Sequence, residues 1–164
     1  MITIREQLVT STDRTWPGES RCTSITVHET ANTNRGANAQ AHANLQSRGN
    51  VRQASWHIQV DDRQAIRSYL DRQKCWHAGR SGEDSIAVEI CVNADGDYDQ
   101  ALANAADVVA QLREEHGLGR GDVVQHFDHT GKHCPSVLRA SGRWAEFVAA
   151  TDPTNAPAPP KVGN

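Results

Sequence analysis

The sequence lacks the features that mark several classes of protein. Its 17 Lys and Arg residues are outnumbered by 20 Asp and Glu residues, for a net charge of −3, which argues against a protein held on nucleic acid by charge. It has no run of 18 apolar residues, so no membrane-spanning segment is expected. Its first residues include no apolar stretch of the kind found in secretory signals, and we expect no signal peptide.

Closely spaced cysteines are also missing. The four cysteines, Cys22, Cys75, Cys91 and Cys134, lie far apart, and none forms a CxxC pair. Disulfide frameworks are typical of shorter secreted chains, so we expect no structural disulfide here. Histidine, by contrast, is abundant, with eight residues in a chain of 164. This excess is the first indication of a functional site.

Length and composition predict a single domain over residues 1–151. A chain of 164 residues is long enough for one domain with a sizeable core. Residues 152–164 include four prolines and almost no bulky apolar side chain, a composition that favours extended conformations over a packed core. We therefore predict a proline-rich linker or tail there, leading to a further module.

Hydrophobic periodicity predicts alternating strands and helices. Strands are expected over 24–28, 56–60 and 85–92, and 65–70 is expected to return as a hairpin. Helices are expected over 36–46, 98–116 and 144–150, with Gly117 ending the second. The predicted fold class is therefore α/β, with a mixed central β-sheet flanked by helices in one domain.

The densest polar cluster lies between residues 125 and 135. It contains His126, His129, His133 and Cys134, and imidazole and thiolate together are typical zinc donors. The Thr-Gly pair at 130–131 favours a loop. A catalytic zinc needs three protein ligands and one open position. The spacing leaves open which two come from this segment, and we expect a third ligand from elsewhere.

Three further residues are candidates for a role at a zinc site. His28 ends a predicted strand and is a candidate third ligand, although residue type alone favours an ordinary surface or core histidine. Glu89 interrupts an apolar strand; it is either a general base near the metal or a solvent-facing residue of an edge strand. Lys132 could stabilise an oxyanion, and the ordinary alternative is an exposed loop lysine.

Taken together, these residues belong to a familiar pattern. The chain resembles the N-acetylmuramoyl-L-alanine amidase family of the type-2 amidase fold, which also includes peptidoglycan recognition proteins. The resemblance is to catalytic domains of phage endolysins and bacterial autolysins. The matching segments, which follow the family's order, are ITVHET (25–30), SWHIQVDD (55–62), WHAG (76–79), 85–98 with the following helix, and HFDHTGKHCP (126–135).

The resemblance implies a zinc site with a defined ligand set. The family holds one Zn²⁺ ion with a strand-end histidine, a later histidine and a cysteine eight residues after it, and these correspond to His28, His126 and Cys134. His129 and His133 occupy positions where relatives often have other residues. We therefore expect neither of them to be a ligand.

The resemblance also implies catalytic and substrate-binding residues. Glu89 corresponds to the family's acidic catalytic residue and Lys132 to its loop lysine. Some relatives have a tyrosine where this chain has Trp56, which cannot do acid–base work and so leaves that role to Glu89. His57, His77 and Trp56 correspond to positions facing or near the cleft, and a substrate-binding role is predicted for them.

The function implied is zinc-dependent hydrolysis of the amide between N-acetylmuramic acid and L-alanine in bacterial peptidoglycan. One alternative is a peptidoglycan-binding module of the same fold, although such proteins have usually lost the zinc cysteine. The other is a structural zinc domain with four protein ligands. As an endolysin, the protein is expected to be a monomer, made in the host cytoplasm without a signal peptide and acting at the cell wall after release.

Overall fold

The computed structural model describes residues 1–153. Their strands are β1 (Ile4–Glu6), β2 (Thr15–Glu19), β3 (Ser24–Glu29), β4 (Ile58–Val60), β5 (Ala65–Arg67), β6 (Gln73–Cys75), β7 (Ser85–Ile90) and β8 (Val123–Gln125). Their helices are α1 (Ala39–Ser47), α2 (Tyr98–His116), α3 (His126–Thr130), α4 (Ser136–Ala140) and α5 (Trp144–Ala150), with 3₁₀ turns at Arg80–Gly82 and Arg120–Asp122. None of these helices is long and apolar enough to cross a lipid bilayer.

Six of the described strands form one mixed sheet in the order β1-β5-β4-β7-β3-β8. The β4–β5 pair is antiparallel, and the other neighbours in this sheet run parallel. β2 and β6 form a separate antiparallel ribbon. The predicted fold class, a mixed central sheet flanked by helices, is confirmed.

The two faces of the sheet are covered by different helices, as strand alternation requires. On β7, Ile86, Val88 and Ile90 pack into the main apolar core with α2 and α5, whereas Cys91, just after the strand, packs with Ala39 and Ala43 of α1. Each large aliphatic side chain buried in this way contributes about 1.5 to 3 kcal/mol. Glu89 points to the α1 side of the sheet, between Ala87 and Cys91.

The long helix α2 begins and ends as predicted. The Asp97 side chain caps its N-terminus by accepting a hydrogen bond from the Gln100 amide. Gly117 ends it in the left-handed conformation, with φ of 66°. Near this end, the buried guanidinium of Arg113 donates to the Thr151 carbonyl and to Asp152. The predicted tail therefore begins with a residue tied to α2, and from residue 154 onward it lies outside the described residues.

Several element boundaries differ from the prediction. The helix predicted from residue 36 begins at Ala39, because Asn38 caps it by accepting from the Ala41 amide. The loop expected after residue 125 is the short helix α3. Asp128 caps it by accepting from the Gln125 amide at 2.8 Å, and Gly131, with φ of 76°, ends it rather than preventing it. β1, β2, β6 and β8 were not predicted, since each has few residues and little alternation.

Candidate active site

The site forms where three neighbouring parallel strands end. In the β3–β7 register His28 pairs with Glu89, and in the β3–β8 register Val27 pairs with Gln125. His126 follows directly as the first residue of α3. The carboxyl ends of adjacent parallel strands meet at one edge of a sheet. This topology therefore brings Glu89, His28 and His126 together.

Cys134 reaches the same edge by the return of the chain after α3. The Phe127 amide donates to the Cys134 carbonyl at 3.1 Å. The Cys134 Sγ then lies 3.8 Å from Nδ1 of His28. One ligand atom from each of His28, His126 and Cys134 lies within 4.8 Å of the others, and all three residues are buried.

The two other histidines of this segment point elsewhere. The Nε2 atom of His129 lies 2.9 Å from the Thr26 hydroxyl, and Nδ1 of His133 accepts from the Arg139 guanidinium at 3.3 Å. Neither belongs to the group of His28, His126 and Cys134. That these two histidines do not bind a metal stays a prediction.

Glu29 ties the end of β3 to the segment that follows Cys134. Its buried carboxylate accepts hydrogen bonds from the Val137 amide at 2.7 Å, the Leu138 amide at 3.0 Å and the Tyr98 hydroxyl at 2.6 Å. These bonds hold the start of α4 against the strand that presents His28. Glu29 therefore ties the strand of one candidate ligand, His28, to the segment that follows another, Cys134.

We expect Glu29→Ala to destabilise the protein by about 2 to 4 kcal/mol. The substitution leaves partly or fully buried amides of α4 without an acceptor, and each such group costs about 1 to 3 kcal/mol. Urea denaturation measures the change, with the exposed Glu114→Ala of α2 as the control. If Glu29→Ala unfolds at the same urea concentration as the parent protein, these bonds do not stabilise the fold.

Glu89 lies in an inner strand, which corrects the alternative of a solvent-facing edge position. Its side chain is 13% exposed, and its Oε1 lies 4.0 Å from Nδ1 of His28. Its Oε2 is buried without a hydrogen-bond partner among residues 1–153. Burial raises the pKa of Glu89 to about 7, although the positive charges of Lys132 and Arg52 oppose the shift. The carboxyl group is thus placed to exchange a proton near neutral pH.

A pocket of about 150 Å³ is lined by the three candidate ligands, His28, His126 and Cys134, and by Glu89. Its wall also includes Trp56 and His77, while the exposed Lys132 stands at its rim. The indole N–H of Trp56 already donates to Gln59 at 2.7 Å, so Trp56 offers only its ring to a ligand. Both ring nitrogens of His77 are also hydrogen-bonded, to His28 and to the Ser85 carbonyl. His77 therefore lines the pocket with no ring nitrogen free for a substrate.

His57 does not reach this pocket, in contrast to the role predicted for it. Its ring is fully buried. Its Nε2 donates to the Gln73 carbonyl at 2.8 Å, and its Nδ1 accepts from the Ala87 amide at 2.8 Å. The ring thus joins β6 to β7 and holds the strand that presents Glu89. We assign His57 to the packing of the sheet.

Acidification is expected to destabilise the protein through His57. Burial lowers the pKa of His57 to about 4, whereas an unfolded histidine titrates near 6.5. Below pH 6.5 the unfolded chain therefore binds a proton that the folded protein does not. Stability is full above that pH and falls as the pH drops towards 4, by about 3 kcal/mol for this group.

Urea denaturation at about pH 7.5 and pH 4 tests this expectation. We expect His57→Gln to be less stable than the parent at the higher pH, because it loses the two buried backbone contacts. It should then lose about 3 kcal/mol less than the parent on acidification. An equal loss in both proteins would show that His57 is not the group responsible.

The donor set fits a zinc ion. Two imidazoles and one thiol are the ligand types that zinc prefers. Burial lowers the pKa of His28 and lowers that of His126 to about 4, so both rings are in the neutral form that binds metals. In addition, Nδ1 of His126 is a buried nitrogen without a hydrogen-bond partner among the described residues. A cation at this position would satisfy polar groups that the protein leaves unpaired.

Sequence reasoning missed three ionisable residues of the pocket lining: Glu29, His42 and Arg52. His42 lies in α1, and Arg52 in the segment that follows that helix. The polar residues around them in the sequence form no recognisable metal-binding or catalytic motif. Glu29 directly follows His28, but its partners in α2 and α4 are distant in sequence. The abundance of histidine was the signal that could have led to His42.

Comparison with known proteins identifies relatives of this chain. A family model described as N-acetylmuramoyl-L-alanine amidase matches residues 18–137. The N-acetylmuramoyl-L-alanine amidase CwlH of Bacillus subtilis (strain 168) is 34% identical over 163 residues, which cover 96% of this chain and 64% of that protein. XlyA of the same organism, which has the same description, is 40% identical over 129 residues, covering 76% of this chain and 42% of that protein. The chain thus spans about half the length of these relatives.

Solved structures show the same fold. A mutant endolysin from Bacillus subtilis superposes with a TM-score of 0.85 at 36% identity, covering 92% of this chain and 99% of that one. The catalytic domain of XlyA superposes with a TM-score of 0.84 at 35% identity, with the same coverage.

Proposed function

The chain belongs to the N-acetylmuramoyl-L-alanine amidase family, and from this premise we propose that it is a zinc-dependent peptidoglycan hydrolase. Its substrate would be the amide that joins N-acetylmuramic acid to the L-alanine of the stem peptide. The main support is the meeting of His28, His126 and Cys134 beside Glu89 at one edge of the sheet. An endolysin-type catalytic domain, acting as a monomer on the bacterial cell wall, is the form we propose.

The proposed chemistry combines a metal with two side chains. A zinc ion held by His28, His126 and Cys134 would supply a Lewis acid that polarises the amide carbonyl and makes a water more acidic. Glu89 takes the proton as the water attacks and returns it to the leaving amine. Lys132, at the rim of the pocket, stabilises the negative charge that develops on the carbonyl oxygen; one such donor is worth about 2.7 to 4 kcal/mol.

Two alternatives make different use of the same fold. A peptidoglycan-binding module would not need the cysteine, and Cys134 is present and close to His28. A structural zinc site would have four protein ligands, whereas three donors meet within residues 1–153 at this position. Both observations favour the hydrolase.

Digestion of purified peptidoglycan tests the proposal. We expect the products to be free stem peptides that begin with L-alanine, together with intact glycan strands, as measured by mass spectrometry. The Glu89→Gln variant, incubated under the same conditions, serves as the control for contaminating hydrolases. Cleaved glycan strands, or stem peptides cut at another bond, would contradict the proposed reaction.

Removal of the metal separates catalysis from structure. We expect a chelator to abolish the activity while circular dichroism shows a folded protein, because the apolar core lies around α2 and not around the metal site. Adding zinc back should restore the activity. Unfolding of the apoprotein would instead indicate a structural zinc, since such domains are folded only with metal bound.

A further inference from the structure

We propose that His77 is a positioning residue that fixes the orientation and the tautomer of His28, so that Nδ1 of His28 is the nitrogen offered to the metal. The inference rests on the proposed zinc site and concerns a residue outside its ligand set. It follows from the hydrogen bonds of the two rings.

The hydrogen bonds define the direction of donation. The Nε2 atom of His77 lies 3.2 Å from the Ser85 carbonyl oxygen, which can only accept, so this nitrogen has the hydrogen. In the neutral ring, Nδ1 of His77 is then an acceptor. It lies 3.0 Å from Nε2 of His28, which therefore donates. Nδ1 of His28 is left with a lone pair.

That nitrogen is the one that faces the site. Nδ1 of His28 lies 3.8 Å from the Cys134 Sγ and 4.0 Å from Oε1 of Glu89. Histidine ligands of metals commonly donate their other ring hydrogen to a protein acceptor, which fixes the ring and strengthens the ligand. Here the acceptor is a second histidine, itself anchored to the main chain at the start of β7.

Hydrogen bonds and close packing restrain the segment that contains His77. The Trp76 amide donates to the Ser55 hydroxyl at 2.9 Å, and the Ser55 amide donates to the Trp76 carbonyl at 2.9 Å. On the other side, Gly82 lies against the ring, since a Cβ at Gly82 would come within 3.3 Å of His77 Cε1 and 2.7 Å of the Ala78 Cβ. A side chain at Gly82 would therefore displace the segment that contains His77.

Two substitutions test the inference through zinc affinity. His77→Phe keeps a ring but removes both hydrogen bonds, whereas His77→Gln keeps one acceptor and one donor. Competition with a chelating dye should show about 10- to 100-fold weaker zinc binding for His77→Phe, with most of the affinity restored in His77→Gln. The inference would be overturned if the folded His77→Phe variant bound zinc as tightly as the parent, or if the folded His77→Gln variant bound it as weakly as His77→Phe.

A second measurement needs no variant. Two-bond ¹⁵N–¹H spectra of the metal-free protein should show hydrogen on Nε2 of both His28 and His77. Hydrogen on Nδ1 of His28 would overturn the inference. A parent protein that binds no zinc would refute the proposed function and this inference together, whereas zinc binding that is unaffected by His77→Phe would refute the inference alone.

A different observation leads to a second site. We infer that Arg52 forms an anion subsite at the pocket wall that binds a carboxylate of the stem peptide, which deepens the proposed function. Arg52 lines the pocket together with Glu89 and Lys132. Its guanidinium has no carboxylate within ion-pair distance among residues 1–153, although its backbone is firmly held.

The backbone of this segment is fixed at three points. The Arg52 amide donates to Oδ1 of Asn50 at 2.9 Å, and the Asn50 side chain donates to the Ala54 carbonyl at 2.8 Å. The Arg52 carbonyl accepts from the Arg14 guanidinium at 2.8 Å. The pinned backbone fixes the point from which the Arg52 side chain extends, and guanidinium groups bind carboxylates through two parallel hydrogen bonds.

Paired substrates test the subsite. Two muropeptide substrates are compared. In one of them the first carboxylate after L-alanine in the stem peptide is free, and in the other it is amidated. For Arg52→Gln we expect KM for the free acid to rise about ten-fold or more, with kcat unchanged and with the amidated substrate affected less than about two-fold. Arg48→Gln, an exposed arginine outside the pocket, is the matched control.

The outcomes separate this subsite from the reaction itself. An equal effect of Arg52→Gln on both substrates, or no effect on either, would overturn the subsite while leaving the hydrolase intact. A parent protein that cleaves neither substrate would refute the proposed function, and the subsite with it.

Discussion

Glu89→Gln is expected to lower kcat on purified peptidoglycan by about 10²- to 10⁴-fold, the contribution typical of a general acid–base residue. The amide is nearly the same size as the carboxylate but cannot accept the proton of the attacking water. Glu89 lies 4.0 Å from His28 and belongs to an inner strand. Because the amide is nearly isosteric and Oε2 of Glu89 has no hydrogen-bond partner within residues 1–153, the substitution should leave the fold in place.

Zinc content and a matched control make this result specific. Elemental analysis should find the same zinc content in Glu89→Gln and in the parent, because Glu89 is outside the proposed ligand set. Glu114→Gln, which removes an exposed carboxylate of α2 that does not line the pocket, should retain full activity. Lysis of cell walls by Glu89→Gln at the parent rate would remove Glu89 from the mechanism.

Cys134→Ser is expected to lose its zinc on dialysis and its activity with it. The thiolate is one of the three proposed ligands, and a serine hydroxyl, far less acidic, is a poor substitute for it. The two side chains have a similar shape, and Cys134 lies outside the main apolar core, so the fold should persist.

The other cysteines provide the control for this substitution. All four cysteines lie within residues 1–153 and are free thiols. Cys22→Ser replaces a buried thiol of the core that is not in the metal-binding group, and it should keep the zinc. Unchanged zinc content in Cys134→Ser would remove that residue from the ligand set.

The sequence predicts the elements whose signals are local. The strand at 24–29, the hairpin of β4 with β5 and the helix from Tyr98 to His116 follow from alternation, from helical spacing and from Gly117. β1 and β8 are three residues long and exist because a neighbouring strand pairs with them. Such pairing depends on contacts between distant parts of the chain, which a local pattern does not contain.

The residues of the candidate site divide in the same way, into those with a signal in the sequence and those that only the fold brings together. Composition indicates a zinc-type cluster near residue 130, and the family resemblance selects His126 and Cys134 from it and adds His28 from the end of β3. The resemblance suggested a place near the substrate for His57, but its ring is buried inside the fold, where two backbone groups bind it. Arg52 and Glu29 become visible only when the fold brings them to the pocket and to α4.

Anomalous diffraction at the zinc absorption edge, from crystals of the zinc-loaded protein, tests the central claim most directly. We predict a single strong peak bonded to His28, His126 and the Cys134 sulfur, with its remaining coordination position facing the pocket and the Glu89 carboxylate. The account would be contradicted by the absence of a peak there, by a fourth protein ligand, or by zinc bound instead at Asp71, Glu115 and His116, the other group of metal-ligating side chains within residues 1–153.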